Sequence, residues 1–185
     1  CTQMTPDETE ALAGTGAVAG LCPITEANLG DGIFDGAGWL AAGGRFGVGS
    51  DSNIRVSLTG ELRLLEYSQR LRDRARAVLA SPGQSTGRRL YADAVAGGAR
   101  ATGRDAGRIA PGALADMVAL DADHPVFAGR DGDRLLDSWI FSGDDRVVTD
   151  VWAAGRHLVT GGRHAARDAI TARYVATLDR LKDAT

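Results

Sequence analysis

The sequence predicts an α/β protein whose first part builds a parallel sheet and whose second part is β-rich and antiparallel. Three observations carry this. Between Thr5 and Leu79, apolar runs of strand length alternate with helical patterns across short connections, the order of a parallel α/β architecture. After Thr102 the alternation gives way to turn pairs spaced for hairpins. The composition, with 25 glycines and only 5% aromatic residues, suits close helix-on-strand packing better than a large aromatic core.

The first helix opens at Thr5-Pro6-Asp7-Glu8: a hydroxyl N-cap, a proline at the first helical position, and a glutamate placed to bond back to the cap. It is expected to run to about Gly16. Ala17 to Cys22 is a short apolar run bounded by Gly16 and Pro23, consistent with a buried parallel strand. Pro23 to Gly32 is polar and glycine-bearing and reads as a loop, and Ile33 to Ala42 as a helix closed by Gly43-Gly44. Arg45 to Ser50 is the next strand, and Thr59 to about Leu79 reads as one long amphipathic helix with Leu62, Leu65, Leu71 and Val78 on its apolar stripe. A further helix is expected from about Thr86 to Thr102. Beyond it, a turn at Pro111-Gly112 leads into a strand at Ala115 to Leu120. Val147 to Trp152 and His157 to Val159 form a hairpin about Ala154-Gly155, a closing turn sits at Gly161-Gly162, and Ala165 to Lys182 forms a final amphipathic helix.

Composition excludes several function classes. The formal charge of −3 is spread over interleaved acidic and basic residues, so there is no basic stripe for nucleic acid. No apolar stretch reaches the roughly 18 residues a membrane span needs, and no signal-peptide pattern opens the chain. The two cysteines, Cys1 and Cys22, have no metal-site spacing and are too few for a disulfide framework, so a reducing cytoplasm is the expected location.

In a parallel α/β fold, functional groups sit on the loops that follow the strands' C-terminal ends. Two loops qualify. Gly49-Ser50-Asp51-Ser52 ends a strand on a carboxylate, which reads either as ordinary turn chemistry or as a group that ligates a metal and accepts a proton. Thr25-Glu26-Ala27-Asn28 offers hydroxyl, carboxylate and amide within four residues, able to orient a small polar substrate or simply to stand in solvent. Ser52 reads as a further substrate contact or as a support for the turn. Cys22 reads as a small buried thiol, and Glu61, Arg63 and Glu66 as the solvated face of their helix. The three histidines, His124, His157 and His164, fall in the β-rich part without metal-ligand spacing.

The stretches GSDS, GRIAPGALADMVALD and DVWAAGRHLVTGGRH together resemble the C-terminal half of amidohydrolase-superfamily enzymes, in which a metal-dependent (β/α)8 barrel carries a small β-sandwich. Within that superfamily, CTQMTPDE, GLCPITEANLGDGIF and GSDSNIRVSLTGELRLLEYSQRLRDRAR resemble the formimidoylglutamate deiminase family. The resemblance implies a division into residues 1–102 as the C-terminal part of the barrel, with strands seven and eight, 103–164 as sandwich strands, and 165–185 as a C-terminal helix. It implies one divalent metal, zinc by expectation, with Asp51 as both metal ligand and proton shuttle and the remaining ligands upstream of Cys1. It further implies a small-molecule substrate, the N-terminal half of the same enzyme as partner, and a homodimer when intact. The implied reaction is hydrolysis of the formimino C=N group of N-formimino-L-glutamate, releasing ammonia. Two alternatives stay open: a superfamily deaminase of guanine or cytosine type, and an inactive structural piece that binds the missing half.

Overall fold

The computed structural model describes residues 1–182. Helix α1 (Pro6–Gly14) starts as expected: the Thr5 hydroxyl accepts from the Glu8 N–H, and the Glu8 carboxylate accepts from the Thr5 N–H at 2.8 Å. Strands β1 (Val18–Leu21) and β2 (Arg45–Val48) pair in parallel, Val18 opposite Arg45 and Leu21 opposite Val48. Both C-terminal ends therefore point the same way. Between the strands lie α2 (Pro23–Leu29) and α3 (Gly36–Ala41); after them come α4 (Leu58–Asp73) and α5 (Thr86–Ala101). Among the described residues, a second, separate sheet is antiparallel in the order β3 (Met117–Leu120), β4 (Val148–Ala153), β5 (Arg156–Thr160), β6 (Arg163–His164). The β4–β5 turn has Ala154 and Gly155 both at positive φ, the backbone that a two-residue hairpin needs. Helix α6 (Asp133–Phe141) lies between β3 and β4, and α7 (Arg167–Lys182) follows β6 with no buried residue.

Several expectations need correction. Pro23 to Leu29 is a helix rather than a loop: Pro23 sits at its first position, the Glu26 carboxylate accepts from the Cys22 N–H at 2.7 Å, and Gly30 ends it in the left-handed conformation. Helix α3 starts only at Gly36, where the Asp35 carboxylate caps it through the Gly38 N–H. Helix α4 stops at Asp73, because Arg74 turns left-handed, and Leu71 is 80% exposed. Two elements, α6 and the short β6, had no counterpart in the sequence reading. The final helix shows no buried apolar face among the described residues.

The largest correction concerns the supposed solvated face of α4. Glu61 is 2% exposed and Glu66 is fully buried, both beside Leu62 and Leu65. Each carboxylate has a structural partner. Glu66 accepts from the Val78 and Leu79 N–H groups and pairs with Arg70 at 2.6 Å. Glu61 accepts from the Ile24 N–H at 2.8 Å, at the start of α2. Gln69 accepts from the Gly36 N–H and donates to the Phe34 carbonyl, and Arg63 donates to the Ile140 and Gly143 carbonyls at the end of α6.

The main core gathers Leu21, Phe34, Trp39, Phe46, Leu62, Leu65, Leu79, Leu90 and Ile140 between β1–β2 and the helices. A smaller cluster of Phe127, Trp139 and Val147 lies beside it. Helix α5 meets β2 backbone to backbone: a Cβ on Gly97 would fall 1.9 Å from the Phe46 carbonyl oxygen. Gly97→Ala is thus expected to force α5 off the strand and to destabilise the fold by about 1–3 kcal/mol, read as a lowered thermal midpoint.

Burial raises the Glu61 carboxyl above its ordinary value near 4.5, and the charge of Glu26 adds to the shift, against the Ile24 N–H bond that favours ionisation. An acid whose pKa is raised by folding binds its proton more tightly folded than unfolded. Stability is then greatest below the ordinary value and falls as pH rises through the raised one. Glu61→Gln, which keeps an oxygen for Ile24, is expected to flatten that decline. Denaturation midpoints of both proteins between about pH 4 and pH 8 test this; parallel pH curves would refute it.

Candidate functional site

Asp51 stands at the mouth of the parallel strand pair. The Gly49 N–H donates to the Leu21 carbonyl at 2.9 Å, the last rung of the β1–β2 ladder, and the chain turns immediately afterwards. In that turn the Asn53 N–H donates to the Ser50 carbonyl at 3.0 Å, and Asp51 adopts φ +51. A non-glycine residue there is strained, although aspartate tolerates the region better than most. The Asp51 side chain is exposed beyond the strand end, as is Ser52.

Helix α2 supplies the neighbouring wall. Thr25 is only 8% exposed, and its hydroxyl donates to the Ser50 carbonyl at 3.0 Å, so the two predicted loops meet. Glu26 spends one oxygen on the Cys22 N–H, while Asn28 faces solvent. The Cys22 thiol is pushed up by burial first and then by the charges of Glu26, Asp51 and Glu61, which places three carboxyl groups within electrostatic range of one sulfur. A mouth so lined attracts cations and repels anions. Along α2 lies an apolar groove of about 270 Å³, lined by residues including Glu26, Ile33, Phe34 and Leu65 and not by Asp51.

Glu61 is the group that sequence reasoning missed. It lies beneath the mouth with Oε2 on Ile24 and Oε1 without a partner among the described residues. The available signal was helical spacing, since Glu61, Leu62, Leu65, Glu66 and Gln69 share one face of α4.

The residues described here do not complete a metal site. Among them no group of three or more His, Cys, Asp or Glu is placed to hold an ion, so Asp51 offers one carboxylate and no more. The histidines are engaged elsewhere. His157 bonds Asp150 at 2.7 Å and stacks on Trp152, His124 accepts from the Val126 N–H, and His164 accepts from the Ala166 N–H.

Comparison with known proteins gives this geometry a context. The chain is 50% identical over 183 residues to formimidoylglutamate deiminase from Pseudomonas aeruginosa, covering 98% of this chain and 40% of that protein. The chain thus spans well under half the length of this curated relative. An amidohydrolase from Brucella melitensis superposes with a TM-score of 0.87 at 47% identity, over 97% of this chain and 40% of that one. A mutant atrazine chlorohydrolase from Arthrobacter aurescens TC1, complexed with zinc and atraton, superposes with a TM-score of 0.77 at 26% identity, over 95% of this chain and 39% of that one. The amidohydrolase family model matches residues 1–158, the whole span from the first capped helix to the second strand of the hairpin, and the chain belongs to that family.

Proposed function

We propose that this chain is the C-terminal part of a zinc-dependent hydrolase that converts N-formimino-L-glutamate and water into N-formyl-L-glutamate and ammonia. The observation that carries the reading is the 50% identity to formimidoylglutamate deiminase over 98% of the chain, with a carboxylate at the end of a parallel strand in the matched region. In this reading β1 and β2 are the last two strands of a (β/α)8 barrel, and the antiparallel sheet belongs to a small β-sandwich. The rest of the barrel, supplied by residues before Cys1, brings the remaining zinc ligands; the whole enzyme is a cytoplasmic homodimer with no nucleic-acid or membrane partner. No described helix is long and apolar enough to cross a membrane.

Asp51 is the catalytic residue of this portion and one of the zinc ligands. Its carboxylate takes a proton as water oxygen bonds to the formimino carbon, and returns it to the nitrogen whose bond to that carbon breaks. The products balance: the carbon keeps the oxygen as a formyl amide, and the nitrogen leaves as ammonia. A formimino group is an amidine and carries positive charge near neutral pH, so Asp51 and Glu26 favour that end of the substrate, while its two carboxylates need cationic partners away from this mouth. Glu26, Asn28 and Ser52 are the polar groups of this chain available to orient the substrate, since the Thr25 hydroxyl is already donated to the Ser50 carbonyl.

In the full-length enzyme, Asp51→Asn is expected to lower ammonia release from N-formimino-L-glutamate by about 10²- to 10⁴-fold, the range for lost acid–base assistance. Turnover close to that of the unaltered enzyme would reduce Asp51 to a turn residue. Greater activity of the unaltered enzyme on guanine or cytosine would move the substrate to a ring deaminase's.

A further inference from the structure

We propose that Thr25 is a positioning residue for Asp51, holding the turn that carries the carboxylate rather than contacting the substrate itself. Four observations support this. Thr25 is 8% exposed, and its hydroxyl donates to the carbonyl of Ser50, one residue before Asp51. Among the described residues, that bond is the one hydrogen bond from another element that reaches residues 50–56. The turn needs an outside hold, because Asp51 sits at φ +51 and its own closure is a single bond from the Asn53 N–H to the same carbonyl. And Thr25 is itself held firmly. The neighbouring Ile24 N–H is bonded to buried Glu61 on α4, and the Glu26 carboxylate locks the first turn of α2 through the Cys22 N–H.

The path from the packed helices to the reactive carboxylate is therefore short: α4 through Glu61 to α2, α2 through Thr25 to the Ser50 carbonyl, and from there one peptide unit to Asp51. A hydroxyl that has donated its proton to a backbone carbonyl and lies almost out of solvent is poorly placed to recognise a substrate, but well placed to fix the direction in which the next side chain leaves the strand. Misplacing a reacting group by about 1 Å can cost about 100-fold in rate.

This inference rests on the reading of Asp51 given above, and the test separates the two. In the full-length enzyme, Thr25→Val removes the donor while keeping the branched shape, and Thr25→Ser keeps the donor. The Val variant is expected to lose about 10- to 100-fold in kcat on N-formimino-L-glutamate with KM changed by less than about twofold, and the Ser variant to stay within about threefold of the unaltered enzyme. A Val variant with unaltered kcat overturns the proposal. So does one whose KM rises at constant kcat, which would make Thr25 a substrate contact. If the Val variant does not fold, Thr25→Ala, which also lacks the donor, is read in its place: the same loss in kcat at nearly constant KM supports the proposal, and unaltered kcat overturns it. Asp51→Asn is measured alongside. If it is inactive while Thr25→Val is unaffected, only the positioning role fails; if it is fully active, the functional reading fails first and this one with it.

Discussion

The fold depends on a row of polar side chains that α4 turns inward. Burying a carboxylate or an amide is costly unless its hydrogen-bonding capacity is met. On α4 most of that capacity is met by backbone groups of other elements: Glu61 by the start of α2, Glu66 by the loop after α4, and Gln69 by the approach to α3. Arg63 does the same in the opposite sense, donating to carbonyls at the end of α6. These contacts are directional, so they set where each neighbour may sit. The apolar core of Leu62, Leu65, Phe46 and Leu90 supplies the driving force but not the addresses.

That division explains what was legible in the sequence. The parallel pairing of β1 with β2 and the hairpin of β4 with β5 could be read directly, since apolar runs bounded by Gly16, Pro23 and Ala154-Gly155 announce them. The cap at Thr5 and Glu8 was equally plain. Helix α2 was missed although Pro23 and Glu26 stand at helix-start spacing, because the polarity of the segment suggested a loop. The inward face of α4 was misread because charge was taken for exposure. At about 100° per residue, Leu71 falls on the side opposite Leu62 and Leu65, whereas Glu66 and Gln69 fall beside them. Periodicity held the answer; residue type obscured it.

The candidate site was legible in position but not in detail. Asp51 and the segment Thr25 to Asn28, read as a loop, were expected at the same end of parallel strands, and the bond from Thr25 to the Ser50 carbonyl links the two segments. What a linear reading does not reveal is which polar group is already committed. Thr25 and Glu26 look like substrate contacts in a string of letters, and yet each has a hydrogen bond within the fold. Glu61, far along the chain from both, could be connected to the site only once α4 was packed under α2.

The loop after α4 carries a consequence of its own. Arg74 and Ala77 take left-handed backbone, no helix or strand covers residues 74–80, and a view confined to secondary structure would rank the segment among the loosest in the chain. Its end is nevertheless latched: the Val78 and Leu79 N–H groups both donate to Glu66, and Leu79 is 1% exposed in the core. Opening it would strand a buried carboxylate and pull a leucine into water at once. These two amides should therefore exchange with deuterium on the timescale of the core rather than of a surface loop, so local order here follows the partner of each N–H rather than the regularity of the backbone.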